Sequence, residues 1–242
     1  MSLKGKNAIV TGGGSGIGLA IAASLARLGC QVVIAGRDPA KLATAAQSVG
    51  DVALKHHAVD VANRDDVAKL FGWARDSIGD IHILVNSAGT NIKTRRMDQM
   101  TPEQWDSVMA INATGAYNCM YHALPEMRSR RDGLIVNISS ISGKRASDLG
   151  GIAYCASKFA MTALGTAVGL EDAANGVRLT NVFPGEVETP ILDNRPHPVT
   201  AEHRARILQP EDVADIVVAI ALLPPRANVP EVVIKPTSQP YA

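Results

Sequence analysis

Tyr154-Cys155-Ala156-Ser157-Lys158 places a phenol and an ammonium four residues apart, a spacing that sets both on one face of a helix. Tyrosine has a reference pKa of roughly 10, so a phenol that exchanges protons near neutral pH needs a neighbouring positive charge to favour its phenolate. Lys158 could supply that charge, and the pair reads as an acid–base catalyst. The commoner meaning of such a spacing is a half-buried ring beside a solvated amine. Among Tyr117, Tyr121, Tyr154 and Tyr241, only Tyr154 combines a lysine four residues on with a position just after a strand that ends in serines. The choice between the two meanings lies with the elements that carry and surround the pair.

Upstream, Asn7-Ala8-Ile9-Val10 is a short apolar run that stops at Thr11-Gly12-Gly13-Gly14-Ser15-Gly16-Ile17-Gly18, after which Ile17, Ile21, Leu25 and Leu28 recur at helical spacing. Strand, glycine turn and helix in that order predict dinucleotide binding. Glycines let the backbone approach a ligand closely, and the helix start offers N–H groups and a positive dipole end to a pyrophosphate. A second strand, Gln31-Val32-Val33-Ile34-Ala35, ends at Gly36-Arg37, where ribose recognition is decided in such folds. Arg37 can pair with a 2′-phosphate in a fork geometry, which predicts NADP(H) over NAD(H); a solvated surface arginine is the alternative. Asp38 before Pro39 fits a helix N-cap followed by proline at the first helical position.

Alternation continues, with a strand over residues 52–59, a helix over 65–77 and a strand over 81–85. Asp60, after the third strand, could accept a hydrogen bond from adenine or serve as a loop or capping aspartate. His56 and His57 have no metal-like partner pattern. Small residues follow in Asn86-Ser87-Ala88-Gly89, and Thr101 with Gln104 forms a capping box that opens a helix with Pro102 in its first turn. That helix holds Asn112, a residue type that competes with helical backbone bonding, with Pro125 near its end. A fifth strand over 134–138 delivers Ser139 and Ser140 at its C-terminal end, the edge where open α/β sheets bind ligands. A sixth over 178–183 closes at Pro184-Gly185. Residues 186–206 lack periodicity and read as a mobile substrate lid or a surface loop. A last helix starts near Pro210 and a seventh strand covers 232–234.

The predicted fold class is α/β, with one doubly wound parallel sheet of about seven strands and helices on both faces. A single domain is expected over residues 1–242. Lys+Arg 24 against Asp+Glu 23 provides no overall field for nucleic acid or an anionic membrane. Cys30, Cys119 and Cys155 show neither metal spacing nor a redox pair, which fits a reducing compartment. The N-terminal residues form no apolar signal region, and the apolar run over 213–223 is interrupted by Asp215 and too short to span a bilayer. A soluble, cytoplasmic protein without a metal is expected.

In ordered set and over nearly the whole chain, these motifs resemble the short-chain dehydrogenase/reductase family. Thr11 to Gly18 looks like its cofactor loop, and Asn86-Ser87-Ala88-Gly89 resembles its Asn-Asn-Ala-Gly motif, with Ser87 in place of the second asparagine. Asn112, Ser140, Tyr154 and Lys158 fall where the family has its catalytic tetrad; Ser140 is chosen over Ser139 because its spacing to the tyrosine is nearer the family's. Pro184-Gly185 with Thr189 matches a nicotinamide-side motif. The ending over 228–239 lacks the glycine-rich finish of many members and is similar to a subset of NADP-dependent reductases that includes some hydroxy-acid dehydrogenases.

The resemblance implies hydride transfer between nicotinamide and a carbonyl or alcohol carbon. Tyr154 would move the proton, Ser140 would hold the substrate oxygen, and Lys158 would tune the phenol and bind the nicotinamide ribose. Asn112 would position water that links Lys158 to solvent. Lowering a phenol's pKa by about two corresponds to roughly 3 kcal/mol of phenolate stabilisation, within reach of Lys158 plus a cationic nicotinamide. Cofactor contacts would come from Gly12, Gly14, Ser15, Gly16, Ile17, Gly18, Arg37, Asp60, Val61, Asn86, Ala88, Gly89, Tyr154, Lys158, Pro184, Gly185, Val187 and Thr189. The resemblance also implies a homotetramer or homodimer. A dinucleotide-binding sensor or scaffold without turnover is the competing function, and a cofactor-dependent epimerase or dehydratase a third. Lys93, Arg95, Arg96, Lys144, Arg145 and Arg195 follow sheet-edge motifs and could ring the cleft for an anionic substrate, or simply be solvated.

Overall fold

A computed structural model describes residues 2–240, so Met1, Tyr241 and Ala242 lie outside it. The strands are β1 (Asn7–Thr11), β2 (Gln31–Gly36), β3 (Leu54–Ala58), β4 (Ile83–Asn86), β5 (Gly133–Ile138), β6 (Val177–Pro184) and β7 (Glu231–Ile234). They pair all-parallel in the order β3-β2-β1-β4-β5-β6-β7. The direction of winding reverses between β1 and β4, and a crevice opens at such a switch point beyond the carboxyl ends of the strands.

The helices are α1 (Gly16–Arg27), α2 (Pro39–Ser48), α3 (Arg64–Ile78), α4 (Pro102–Met109), α5 (Gly115–Arg130), α6 (Ile152–Asp172), α7 (Ala201–Arg204) and α8 (Pro210–Ala221). Strand residues point alternately to opposite faces, and the core divides accordingly. Ala8, Val10, Val32, Ile34, Ile83 and Val85 pack with Ile21 and Leu25 of α1, Leu42 of α2 and Val213 and Val217 of α8. Ile9, Val33, Leu84 and Ile135 face the other way, onto Leu70 and Phe71 of α3, Met120 and Met127 of α5 and Met161 of α6. Buried on both faces, the central strands read as continuous apolar runs.

Several local expectations have visible causes. Asp38 caps α2 by accepting the Lys41 N–H at 3.0 Å, with Pro39 at the first helical position. Thr101 and Gln104 close a reciprocal capping box on α4. Pro125 lies inside the last part of α5, which runs to Arg130 and ends on Arg131 in the left-handed conformation. One expectation is refined. Residues 186–206 are not structureless: Pro190–Asn194 forms a 3-10 turn and α7 follows, with Val187 bridging to Leu208 in parallel. Both pieces are too short to carry a readable period. Among the described residues no helix is long and apolar enough to cross a membrane.

Candidate active site

The loops at the carboxyl ends of β1, β2, β4, β5 and β6 enclose a cleft of about 910 Å³. Gly12 turns the chain away from β1 at φ +67°, and a Cβ there would stand 2.7 Å from the Ser87 carbonyl oxygen, so only glycine lets the two loops meet. Gly14, Ser15, Gly16, Ile17 and Gly18 then line the cleft at the start of α1. Ser15, the N-cap, makes no side-chain capping bond, and the first turn carries no acid. That helix end therefore presents uncapped N–H groups and a positive dipole, the arrangement that suits a pyrophosphate.

Arg37 lines the cleft at the tip of β2, exposed and with no carboxylate partner among the described residues. Asp60 and Val61 line the same end; one Asp60 oxygen accepts the Ala62 N–H at 3.0 Å, so its turn-forming role is realised. Ala88, Gly89, Pro184, Gly185, Val187 and Thr189 continue the wall toward Tyr154 and Lys158. Asn86 is the departure. Only 2% exposed, it is absent from the wall, and its Nδ2 donates to Asn137 Oδ1 at 3.0 Å. Asn137 in turn donates to Asn181 at 3.1 Å, and Asn181 reaches Thr162 and Thr166 of α6 at 3.3 Å each. Three buried amides in register across β4, β5 and β6 thus tie the sheet to the tyrosine helix. Thr11 does the equivalent on the other side, its Oγ1 accepting the Ser87 and Ala88 N–H groups at 3.2 Å.

Ser140, Tyr154 and Lys158 share the far wall. The Ser139 hydroxyl is bonded to the Lys158 carbonyl at 3.2 Å and to Thr162 at 3.0 Å, whereas Ser140 Oγ accepts the Ser142 N–H at 3.1 Å and lowers the pKa of the Tyr154 phenol. Asn112 sits in a π-helical turn, Ala110–Thr114, between α4 and α5, a distortion that often marks functional positions. Its Oδ1 accepts the Thr90 N–H at 2.8 Å, and its Nδ2 donates to the Thr90 carbonyl and to Ser157 Oγ, both at 2.9 Å. Both side-chain donors are thereby committed to joining the β4 loop to α6. Asn112 Oδ1 and Lys158 Nζ each lie 3.6 Å from where a Cβ on Gly89 would stand, so the two side chains approach the β4 loop at the same point.

The electrostatics differ from the simplest expectation for a Tyr–Lys pair. The Tyr154 pKa is raised, chiefly because burial disfavours the phenolate; the Ser140 hydrogen bond and the Arg95 charge pull it down, and Cys155 adds to the rise. Lys158, 4% exposed, has its pKa pushed down to about 8 by the same desolvation. Its Nζ donates to the Ile138 carbonyl at 2.7 Å and stands 5.7 Å from the Tyr154 ring centroid. The lysine is held by the β5 backbone, and burial outweighs the lowering effect of Ser140 and Arg95 on the phenol.

The expected basic ring is reduced. Arg95, Arg145 and Arg195 line the cleft, while Lys93 is exposed outside it, Arg96 pairs with Asp98 and Lys144 with Glu231. The lid segment is held by charges of its own: Glu186 receives Arg195 at 2.9 Å and His203 at 2.6 Å, and Arg204 joins Glu188 at 2.6 Å and Asp193 at 2.7 Å. A contributor with no sequence signal is Gln239, whose Oε1 accepts the Glu186 N–H at 3.0 Å and which lines the cleft. The chain end folds back over the Pro184-Gly185 loop, held by Lys235 Nζ on the Gln239 carbonyl at 2.7 Å.

Comparison with known proteins yields a consistent set. A family profile described as short chain dehydrogenase matches residues 6–199. An uncharacterized oxidoreductase of Staphylococcus aureus is 35% identical over 237 residues, covering 97% of this chain and 98% of its own. A metagenomic short-chain oxidoreductase solved in complex with NADP superposes with a TM-score of 0.84 at 31% identity, over 99% of this chain and 100% of that one. A 3-ketoacyl-(acyl-carrier-protein) reductase from Brucella melitensis, complexed with NADH, gives 0.86 at 28% identity, over 97% and 98%.

Proposed function

The chain belongs to the short-chain dehydrogenase family, and from that premise we propose that it is an NAD(P)(H)-dependent oxidoreductase interconverting a carbonyl and an alcohol, with Tyr154 as the acid–base group. The observation that carries this reading is the convergence of Ser140, Tyr154 and Lys158 on one wall of the cleft whose other end is the uncapped start of α1. The glycine turn and α1 would hold the pyrophosphate, Arg37 a 2′-phosphate, and Lys158 the nicotinamide ribose. When bound there, the nicotinamide cofactor supplies the hydride donor or acceptor. Tyr154 gives its phenolic proton to the carbonyl oxygen in reduction and takes it back in oxidation. Ser140 Oγ, on the same wall as the phenol, orients the substrate oxygen. Lys158, with Asn112 near it at Gly89, returns the proton from solvent. Residues 7–234 all feed one sheet, which supports a single dinucleotide-binding domain, with residues 186–206 as its substrate lid.

The test is a carbonyl panel run separately with NADPH and NADH, following cofactor absorbance. Net oxidation of cofactor with a carbonyl substrate supports the oxidoreductase; tight cofactor binding without turnover across the panel supports the sensor reading instead. The NADP preference rests on Arg37, which has no carboxylate partner among the described residues; charge-assisted bonds to it are worth about 1.5–3 kcal/mol. Arg37→Asp is therefore expected to lower the NADPH-to-NADH ratio of kcat/KM by at least about tenfold, and an unchanged ratio removes Arg37 from cofactor selection.

Self-association is the natural fate of the outer faces of α5 and α6, which expose Tyr117 (44%), Tyr121 (63%), Phe159 (43%) and Leu170 (78%). Sedimentation is expected to find a dimer or tetramer, and Tyr121→Glu with Phe159→Glu to shift it toward monomer. A monomeric wild type would count against this interface.

A further inference from the structure

Arg95 is a cation in the substrate half of the cleft that no carboxylate among the described residues neutralises. Its Nε donates to the Ile92 carbonyl at 3.0 Å, its Nη1 to the Leu149 carbonyl and its Nη2 to the Asn194 carbonyl at 3.0 Å. Every acceptor is an uncharged backbone oxygen, and among the described residues no carboxylate pairs with it. Of its five N–H groups, one remains on each terminal nitrogen.

The neighbouring charges do not cancel it. Arg195 also lines the cleft, but it is matched by Glu186, which is itself shared with His203. That carboxylate is therefore already committed. Arg145 lines the same cleft. A half-buried guanidinium facing a cleft with no counter-ion is an energetic cost that an anionic ligand relieves.

Its position is fixed close to the reacting phenol. The aliphatic stem of Arg95 fills the space where a Cβ on Gly151 would stand, 2.5 Å from its own Cβ, and Gly151 adopts φ +77° immediately before α6. The Arg95 carbonyl accepts the Ile152 N–H at 3.3 Å, so the residue is stitched to the first turn of the helix that carries Tyr154. Arg95 and Tyr154 accordingly feel each other's charge. Through Asn194 and Leu149 the same guanidinium also joins the lid to the loop before α6, closing the cleft around whatever it binds.

We propose that the substrate is a small hydroxy or keto acid whose carboxylate is bound by Arg95. This rests on the oxidoreductase reading above and specifies the substrate class for that site. Arg95 would receive the carboxylate in a two-point, charge-assisted contact, on one side of the substrate oxygen held by Ser140 and Tyr154.

The experiment compares matched acids and methyl esters, namely pyruvate, acetoacetate and levulinate against methyl pyruvate, methyl acetoacetate and methyl levulinate, with NADPH and with NADH. At least one acid is expected to exceed its ester in kcat/KM by about tenfold or more, mainly through KM, and that KM is expected to rise with salt while the ester's does not. In Arg95→Gln, which keeps hydrogen-bond donors for the loop carbonyls, the acid-to-ester ratio is expected to fall to about one. Arg95→Lys is expected to keep most of it. Using the ratio divides out any general damage to the loops.

Wild-type preference for every ester overturns the proposal, as does an unchanged ratio in Arg95→Gln. Equal losses on both members with a displaced pH profile would assign Arg95 to tuning Tyr154 and overturn substrate binding. If no member of any pair consumes either cofactor, the oxidoreductase reading itself falls, an outcome distinct from turnover without charge preference.

Discussion

Tyr154→Phe is expected to lower kcat by about a thousandfold, the usual range for losing a positioned general acid or base, while leaving the Kd for NADP(H) within a few-fold of wild type. The phenol stands in a wall shared with Ser140 and Lys158, while Lys158 Nζ is engaged by the Ile138 carbonyl and Ser140 Oγ accepts the Ser142 N–H. Removing only the hydroxyl leaves ring packing intact. Steady-state turnover together with fluorescence titration of the cofactor checks both halves. Near-normal turnover removes Tyr154 from the chemistry, whereas a parallel loss of cofactor binding makes its role structural.

Lys158→Met is expected to do two opposite things, abolishing most turnover while making the protein without cofactor more stable. The ammonium is 4% exposed and its pKa is brought from 10.5 to about 8 by burial. At neutral pH the native state therefore carries a desolvated charge at a cost of about 3 kcal/mol. Losing the bond to the Ile138 carbonyl returns about 1 kcal/mol of that. A net gain of about 2 kcal/mol corresponds to a rise in Tm of about 4–8 °C for a chain of this size.

The sign with pH follows from proton counts. Below about pH 8 both folded and unfolded chains hold the Lys158 proton, and the penalty is at its full size. From about 8 to about 10.5 the unfolded chain binds more protons than the folded one, so this group's contribution makes stability rise with pH in that window. Urea unfolding of wild type and Lys158→Met at pH 7 and pH 9.5 is expected to show their stability difference shrinking at the higher pH. A less stable Lys158→Met at pH 7 contradicts this account. A buried amine that destabilises the resting fold is the kind of strain that functional sites retain.

Much of this molecule was legible because its signals are local. Ala8-Ile9-Val10 and Val32-Val33-Ile34 announce two-faced strands, and Ile17, Ile21 and Leu25 announce the helix between them. Asp38-Pro39 and Thr101 to Gln104 mark helix starts by bonds that span three residues. The glycine turn and the Tyr154–Lys158 spacing are local too, since one depends on backbone freedom and the other on helical pitch. These features follow from steric and hydrogen-bonding rules within a few residues.

Other features required the closed fold. Asn86, Asn137 and Asn181 are separated by about fifty residues at a time, and only the register of β4, β5 and β6 makes them a ladder; one read alone looks like a cofactor contact. Gln239 has no motif, and its place over the Glu186 N–H comes from the return of the chain end. The six basic residues after the sheet edges look alike as a list, and the folded charges separate them: Glu186 takes Arg195, Glu231 takes Lys144, Asp98 takes Arg96, and Arg95 is left facing the cleft. The sequence by itself determined the doubly wound sheet and its glycine loop, because those depend on short-range periodicity, while Asn112 and Ser140 joined the Tyr154–Lys158 pair as candidates through the family resemblance. Tertiary structure decided the phenol's raised pKa, the depressed pKa of Lys158 and the lack of a carboxylate partner for Arg95 among the described residues, because desolvation and charge pairing are set by groups distant along the chain.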